Sequence, residues 1–508
     1  MANETRDKPA GYAALIRKYG IAVVPNWHQS AVAPGNVRHA ESAGGTVREL
    51  FPSSYWPGDS VGQHLEFALK YDGTNPEILA RLFQVVSQDD LLDYIRSKPT
   101  GKYARRIWYL YELLSGTRLP LDNLDRGNYV DLLEREDYYT AKSRSVRRQR
   151  VRDNLLGDAR FCPIVRRTDT LEAFERSDLG KRCQQMLEKY PPELLRRALS
   201  YLYTKETQSS FEIEHITPSA TRTERFAALL HMAEQEDFMN KEALLDLQNR
   251  IVDDRFRDSD YRRDQNYVGE AVAWQRRGRV HYVSPKPEDL PGLMQGLIKS
   301  HRRMGDGSVP PAVHAAISAF GFVFLHPFTD GNGRIHRFLI HNVLALRGFT
   351  PEGIMFPVSA AMLKNRGEYD AALEAFSRPL MALVDYTLDD RGRMTVHNET
   401  ALFYRYIDMT VQAEALFHFV EQTIETELVE ELDFLRRYDR AKRGLQEIVD
   451  MPDRLIDLFI RCCLQNNGRL SKRKRESQFP ELEDSEVQEM EKVVQEVYRA
   501  GPDTKGYM

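Results

Sequence analysis

The sequence predicts an all-α protein that carries one short β-hairpin. From about Val61 onward, apolar residues recur at helical spacing over much of the chain. The segment Tyr103–Leu114 has the length and pattern of a helix, and Gly116 follows it as a stop signal. The apolar run near Ala315–Leu325 is too short to cross a bilayer, so we predict a buried helix there.

Composition points to a globular protein in a reducing compartment. The chain has 508 residues, of which 42% are hydrophobic and 29% charged. A net charge of −4 argues against nucleic acid or an anionic membrane as a partner. The polar N-terminus lacks a secretory apolar stretch, and the four cysteines form no C-x-x-C pair, so we expect a cytoplasmic location: Cys162, Cys183, Cys462 and Cys463.

The chain divides into three predicted domains. Residues 1–190 are expected to form an N-terminal helical domain of unassigned role, irregular over its first 50 residues. Residues 191–390 hold the segment that carries chemistry. Residues 391–508 are expected to form a C-terminal helical domain, with a winged-helix-like fold as an alternative.

Two basic runs are weighed against nucleic-acid binding. Lys142–Arg152 is interpreted as a solvated face or an interdomain contact. Lys472–Arg475 lies beside the acidic helix predicted at Glu481–Glu491, so a plain helical cap is the preferred interpretation there. A DNA-binding end remains the alternative.

The segment His326–Arg337 is the candidate site. It connects a helix predicted from about Pro311 to Leu325 with one predicted to start near Asn332. Gly331 and Gly333 leave backbone N–H groups unobstructed by a Cβ atom. They do so at a helix N-terminus, where free N–H groups and the helix dipole favour an anion. The segment therefore predicts a phosphate site.

The side chains of this segment suit phosphoryl chemistry. Arg334 and Arg337 project from one helical face, and guanidinium groups bind phosphate oxygens well. Asp330 is a hard oxygen ligand suited to Mg²⁺. His326 can be neutral at pH 7, as a general base must be. Each feature alone is common, but their combination within one short segment is specific.

Other nucleotide and metal motifs are absent from the sequence. It contains no G-x-x-x-x-G-K-[ST] loop, no strand-linked G-x-G-x-x-G and no H-E-x-x-H. His336 and His341 are five residues apart on a predicted helix, so they do not share a face as a zinc pair would.

The segment closely resembles the Fic-domain signature H-P-F-x-[D/E]-G-N-G-R-x-x-R, with every fixed position filled. The resemblance implies a helical Fic fold and an adenylyltransferase that modifies Ser, Thr or Tyr hydroxyls of proteins. It implies His326 as the general base and Asp330 as the Mg²⁺ ligand. The implied ATP-phosphate residues are Gly331, Asn332, Gly333, Arg334 and Arg337. Related Doc kinases have lysine in place of the second loop glycine, so Gly333 favours nucleotidyl transfer.

Two further stretches resemble the family. The strand Arg279, Val280, His281 and Tyr282 resembles the flap, a hairpin that pairs with an extended target segment. Asn365–Tyr369 resembles the stretch near the adenine, which implies Tyr369 as an ATP-binding residue. Asp370 stands where a second aromatic residue is often found.

A third stretch resembles the inhibitory helix of many Fic proteins, [S/T]-x-x-x-E-[G/N]. Ser210 and Glu214 have this spacing, upstream of the core as in larger bacterial members. The match departs at His215, where Gly or Asn is usual, and Glu212 is a rival acid. The resemblance implies that Glu214 pairs with Arg337 and blocks the outer phosphate of ATP.

We therefore predict a protein adenylyltransferase that uses ATP and Mg²⁺, is autoinhibited by Glu214, and modifies a target protein or itself. One alternative keeps the site but removes AMP, or transfers another nucleotide or phosphocholine. A second is a non-enzymatic DNA-binding regulator acting through Lys472–Arg475. A homodimer is compatible with the sequence, and no membrane partner is expected.

Overall fold

The computed structural model describes residues 7–270, 279–351 and 354–498, and most of them lie in helices. Four small β-sheets also occur among the described residues. The prediction of an all-α protein is therefore right for the dominant element and wrong in its strict form. Residues 1–6 and 499–508, at the outer ends of the first and third predicted domains, lie outside the described residues.

A four-stranded sheet forms near the N-terminus, where an irregular chain was expected. Its strands are β1 (Lys8–Pro9), β2 (His28–Ala33), β3 (His39–Ala43) and β4 (Thr46–Pro52). The strand order is β1-β2-β4-β3, with β2 and β4 parallel and the other neighbours antiparallel. The expectation for the first 50 residues is thus wrong.

Polar contacts explain why this sheet is not predicted from the alternation of apolar and polar residues. Every residue of β3 is exposed. On β4, Glu49 is buried and pairs with Arg38 and with His28, whose Nε2 lies 3.0 Å from its carboxylate. The other ring nitrogen of His28 lies 3.2 Å from the buried carboxylate of Asp72. Charged groups thus occupy positions where a strand pattern expects apolar residues.

The N-terminal helices pack into one apolar cluster. They are α1 (Gly11–Tyr19), α2 (Val61–Phe67), α3 (Pro76–Val85), α4 (Gln88–Ser97) and α5 (Lys102–Ser115). The predicted helix at Tyr103–Leu114 is confirmed as α5, and Gly116 ends it with a left-handed φ of 70°.

The basic run Lys142–Arg152 contacts residues that precede it in the chain. It spans β6 (Arg144–Val146) and β7 (Val151–Asp153), which form a three-stranded sheet with β5 (Val130–Asp131). Arg148 pairs with Glu112 and donates to the carbonyls of Leu119 and Leu121. The run therefore stabilises the loop before β5. This role was not predicted from the sequence.

The central part of the chain is helical apart from two hairpins. Its helices are α6 (Asp169–Ser177), α7 (Leu179–Leu187), α8 (Pro192–Glu212), α9 (Ala220–Met232), α10 (Lys241–Ile251), α11 (Leu290–Met304), α12 (Pro311–Leu325), α13 (Asn332–Leu346), α14 (Val358–Lys364) and α15 (Arg366–Met381). Nearly every residue of α12 is buried, which confirms the predicted buried helix.

The predicted hairpin is present between α10 and α11. Its strands are β8 (Tyr267–Glu270) and β9 (Arg279–Val283), which pair antiparallel with a bulge between Val268 and Gly269. A second hairpin, β10 (Tyr386–Leu388) with β11 (Met394–Val396), follows α15 and was not predicted.

The C-terminal part is helical, as predicted. It contains α16 (Ala401–Arg405), α17 (Thr410–Gln422), α18 (Leu428–Ile448), α19 (Asp453–Leu464), α20 (Lys472–Gln478) and α21 (Asp484–Tyr498). Between residues 397 and 498 the described chain has no strand that could form the wing of a winged helix. In α20, Lys472, Arg473 and Lys474 are exposed, whereas Arg475 donates to the carbonyls of Phe479 and Leu482.

The apolar core is organised around α12 and α13. The largest buried cluster runs from Tyr139 to Leu435 and crosses the predicted limits at residues 190 and 390. A separate cluster runs from Ala441 to Val497. The three domain ranges stay a prediction.

All four cysteines are buried free thiols. No helix within the described ranges combines the length and apolarity needed to cross a membrane.

Candidate functional site

Two residues with a left-handed backbone conformation, His326 and Gly331, determine the shape of the candidate loop. His326 follows the last residue of α12 with φ 48° and ψ 57°, and its N–H donates to the carbonyl of Phe322 at 2.9 Å. Gly331 precedes α13 with φ 88°, a conformation in which a side chain is strained. A Cβ atom there would also lie 2.9 Å from Cγ1 of Val252. Glycine is therefore required at position 331 both by the backbone conformation and by the lack of room for a Cβ atom.

The imidazole of His326 has one nitrogen engaged and one available. Nδ1 lies 3.2 Å from the carbonyl oxygen of Val323. A carbonyl can only accept, so we assign the hydrogen to Nδ1 and the lone pair to Nε2. Burial lowers the pKa of His326 to about 4, and the charge of Arg262 adds to the effect. The ring is therefore neutral at pH 7.

Arg262 fixes the backbone that carries His326. Its Nε donates to the carbonyl of His326 at 2.8 Å, and its Nη2 donates to the carbonyl of Pro285 at 2.5 Å. Its own N–H donates to the carbonyl of Pro327 at 2.8 Å. One buried guanidinium thus ties the loop after α12 to the base of the β8–β9 hairpin.

Asn332 stabilises the loop from within. Its Oδ1 accepts from the N–H of Phe328 at 3.0 Å, and its Nδ2 donates to the carbonyl of the same residue at 2.8 Å. Asp258 accepts from the N–H and the hydroxyl of Thr329 at 2.8 and 3.1 Å. In this conformation the side chain of Asn332 shapes the loop, so a phosphate would meet mainly backbone amides there.

The start of α13 offers an anion site. The N-cap residue Gly331 has no side chain to cap this N-terminus, and the first N–H groups of a helix lack intrahelical acceptors. Oδ1 of Asp330 accepts from the N–H of Gly331 at 2.6 Å and from Nη2 of Arg334 at 2.9 Å. The side chain of Asp330 is 41% exposed, which leaves Oδ2 accessible to a cation.

Both predicted arginines are buried and share one carboxylate. Nε of Arg334 lies 2.9 Å from Oε2 of Glu214, and Nη2 of Arg337 lies 2.6 Å from Oε1. Arg337 also donates to the hydroxyl and the carbonyl of Ser210 at 2.9 and 2.6 Å. The acidic side chain therefore occupies the space between the two guanidinium groups that a phosphate would require.

Gly333 is needed for this close approach. It lies inside α13 with ordinary helical backbone, so its conformation does not require glycine. A Cβ atom there would lie 2.5 Å from Oε1 of Glu214 and 3.3 Å from Nη1 of Arg337. The second loop glycine thus leaves room for whatever anion meets the arginines.

The end of α8 aims Glu214 at the arginines. The N–H of Ile216 donates to the carbonyl of Phe211, and that of His215 to the carbonyl of Glu212. This pair of bonds is the Schellman helix end, which places one residue in the left-handed region. His215 occupies that position with φ 56°, where Gly or Asn is favoured. His215 thus adopts the left-handed conformation that Gly or Asn favours, and the rival Glu212 is exposed.

A buried polar network anchors α8 about two turns before Glu214. Glu206 is fully buried, and its carboxylate lies 2.7 Å from Nε2 of His341 on α13. It also accepts from the N–H of Ser359 on α14 at 2.8 Å and from that residue's hydroxyl. Since a buried carboxylate is costly to leave unpaired, α8 is held firmly against both helices.

A cavity of about 340 Å³, the His326 cavity, opens beside the candidate base. The β8–β9 hairpin, α12 and α15 line it. His281 and Tyr282 contribute from β9, and the hydroxyl of Tyr282 donates to the carbonyl of Phe324. Val280 is half-buried and Arg279 is exposed. Val268, on the opposite strand, is 44% exposed at the cavity rim.

Tyr369 lies apart from this cavity. Its side chain is buried, and its hydroxyl interacts with the guanidinium of Arg337. Its ring centroid is 6.1 Å from that of His336. In this conformation Tyr369 supports an arginine of the site and is not among the residues that line the His326 cavity.

Sequence reasoning missed the residues that support the loop. Arg262 lies 64 positions before the residue whose carbonyl it binds, and Gln248, which donates to the carbonyl of Asp330 at 3.3 Å, is 82 positions away. Local spacing carries no signal for such contacts. Arg366 was also missed, although it lies within Asn365–Tyr369, which resembles a stretch of the family.

Comparisons with known proteins agree on the central segment. The model described as "Fic/DOC family" matches residues 238–344, so this segment is a Fic/DOC domain. Over 110 residues the chain is 33% identical to the protein adenylyltransferase Fic of Drosophila ananassae, covering 21% of this chain and 20% of the relative. Over 119 residues it is 30% identical to the protein of the same name from Drosophila mojavensis, covering 23% and 22%. The chain thus spans about a fifth of the length of these curated relatives.

Solved structures of Fic proteins are also similar. A Fic family protein from Desulfovibrio desulfuricans G20 gives a TM-score of 0.37 at 18% identity, covering 55% of this chain and 80% of that one. A Fic-domain-containing signalling protein from Bacteroides thetaiotaomicron VPI-5482 gives 0.36 at 18% identity, covering 51% and 96%.

Proposed function

We propose that this protein transfers AMP from ATP to a hydroxyl group of a target protein. The proposal rests on one observation. Two buried arginines at the start of α13 pair with the same carboxylate, next to the loop that contains a neutral histidine. The name of the curated relatives, protein adenylyltransferase, supports the same reaction class.

His326 acts as the general base in this proposal. The target hydroxyl oxygen attacks the α-phosphorus of ATP, and its proton passes to Nε2 of His326. The bond between the α-phosphorus and the oxygen that bridges to the β-phosphate breaks, and pyrophosphate leaves. Val323 keeps the ring in the required tautomer by accepting from Nδ1.

The start of α13 holds the phosphates of ATP. Backbone N–H groups from Asn332 onward bind the inner phosphates, and Arg334 and Arg337 bind the outer ones. Asp330 would hold Mg²⁺ through its accessible carboxylate oxygen, and the ion would neutralise charge on the leaving pyrophosphate. One protein carboxylate suits Mg²⁺, which takes its other ligands from phosphate and water.

Glu214 inhibits the enzyme in the conformation described. Its carboxylate engages both arginines, so the outer phosphates of ATP have no cation to bind. The two anions compete for the same charged groups, and ATP binds productively only after Glu214 leaves.

The β8–β9 hairpin receives the target segment. Within the described residues neither strand of this sheet pairs with a third strand, so an extended peptide can add at an edge. The His326 cavity lies under the hairpin, so a hydroxyl from such a strand reaches the base.

The test uses Glu214→Gly with labelled ATP and cell lysate. Loss of the ion pairs is expected to raise label transfer roughly ten- to hundredfold, the range of a charge-assisted hydrogen bond. Adding His326→Ala to that variant is expected to lower transfer by roughly a hundredfold or more. Mass spectrometry of the proteins modified in the lysate identifies the added group as AMP, UMP or phosphocholine.

Glu212→Gly is the matched control, because it makes the same change two residues earlier at an exposed position. It is expected to leave transfer at the wild-type level. Transfer that survives the His326→Ala change would contradict the mechanism, and equal transfer by the Glu214→Gly and wild-type proteins would contradict the inhibition.

A further inference from the structure

Arg366 connects the His326 cavity to the inhibitory glutamate. It is the first residue of α15, and its side chain is 39% exposed where it lines the cavity. Its Nη1 donates to the carbonyl of Ile213 at 2.7 Å. Ile213 is the residue directly before Glu214, so one side chain reaches both the cavity and the end of α8.

The contact with Ile213 stabilises the turn that aims Glu214. The last carbonyl groups of a helix have no intrahelical donor, and a cation near them interacts favourably with the helix dipole. Arg366 supplies both the donor and the charge at the end of α8. The turn that follows contains His215 in a left-handed conformation, which costs free energy and needs support from its surroundings.

Asp370 orients Arg366 for this contact. Its carboxylate lies 2.9 Å from Nε of Arg366, one helical turn away on α15. Asp370 also lines the His326 cavity. Asp370, which stands where the family often has an aromatic residue, thus takes part in the same contact. Its pairing with Nε leaves Nη1 of Arg366 directed at Ile213.

We propose that Arg366 is a positioning residue that holds Glu214 on Arg334 and Arg337 from the wall of the target-binding cavity. The inference rests on the proposed function above. A target segment in the cavity lies beside Arg366, and an acceptor oxygen of that segment competes with the carbonyl of Ile213 for its guanidinium. Target binding then loosens the end of α8 and opens the phosphate site to ATP.

The test measures equilibrium binding of Mg·ATP to the full chain by calorimetry in a double-mutant cycle. Arg366→Met keeps the aliphatic stem and removes the donors. It is expected to lower the Kd for ATP about tenfold in the wild-type background. In the Glu214→Gly background, where ATP already binds more tightly, the same change is expected to have no further effect.

Two variants control for general effects on α15. Arg378→Met removes an arginine of the same helix that pairs with Glu374 four residues earlier and is 79% exposed. It is expected to bind ATP as the wild type does. Arg366→Lys keeps a cationic donor, so its Kd for ATP is expected to lie close to the wild-type value.

Each other outcome overturns a specific statement. If Glu214→Gly does not tighten ATP binding, the proposed inhibition fails, and this inference fails with it. If Glu214→Gly tightens binding while Arg366→Met matches the wild type, only the role of Arg366 is overturned. An equal effect of Arg366→Met in both backgrounds overturns it as well, because Arg366 would then act on ATP directly.

Discussion

At the scale of single residues, the candidate site depends on how each titratable group is surrounded. His326 keeps a neutral ring because burial opposes its charge, while Val323 fixes its tautomer. In contrast, Arg337 keeps its charge although it is buried, because Glu214 and Tyr369 raise its pKa above the usual value. Different surroundings thus give a neutral base on one side of the loop and an anion-binding cation on the other.

The lowered pKa of His326 predicts a neutral ring under mildly acidic conditions. Free histidine titrates near pH 6.5, whereas His326 is expected to stay neutral down to about pH 5 because its pKa lies near 4. NMR of ¹⁵N-histidine-labelled protein checks this, with His326→Asn used to assign the resonance. A ring that gains its proton between pH 7 and 6 would contradict the assigned environment.

At the scale of elements, the site depends on where α8 ends. Its buried Glu206 anchors the helix to α13 and α14, and its last turn directs Glu214 to the arginines. The anchor lies two turns before the inhibitory residue. Release of Glu214 therefore needs only a local change in the turn around His215, while α8 stays in place.

The strained turn predicts a stabilising substitution. His215 adopts φ 56° at an exposed position where glycine carries no steric penalty. His215→Gly is expected to raise the free energy of unfolding by about 1 kcal/mol. Chemical denaturation measures the change. Gly307, which has φ 91° and open space around its Cβ position, provides the matched control. Gly307→Ala introduces the opposite strain and is expected to destabilise the protein, and a His215→Gly variant no more stable than the wild type would contradict the argument.

Elements with a local signal were predictable from the sequence, and those held by distant contacts were not. Helices α12 and α13 and the hairpin after α10 follow from periodicity and turn residues, and the pairing of Glu214 with Arg337 follows from motif spacing. The N-terminal sheet was missed because the buried Glu49 and the half-buried His28 occupy strand positions through charge pairing. Arg262 was missed because its partners are set by tertiary structure alone.

At the scale of the whole molecule, two buried titratable groups make the free energy of unfolding change with pH in opposite directions. Burial lowers the pKa of His336 to about 3, and burial raises the pKa of Glu77 to about 7. Below about pH 6.5 the unfolded chain binds a proton at His336 that the folded protein does not, so stability falls as pH falls. Glu77 acts in the opposite sense, because its folded form binds a proton that the unfolded form has released.

The contribution of His336 can be isolated by removing its ring. His336 is fully buried on α13, with its ring centroid 4.6 Å from that of Phe320, so leucine is a compatible apolar replacement. Between pH 7 and pH 5, the wild type is expected to lose about 2 kcal/mol more unfolding free energy than His336→Leu. The opposing contribution of Glu77 is the same in both proteins and cancels in the difference. Urea denaturation at the two pH values measures it. Equal losses would mean that the folded protein accepts a proton at His336, and that the centre of the largest core is more open to solvent than its packing indicates.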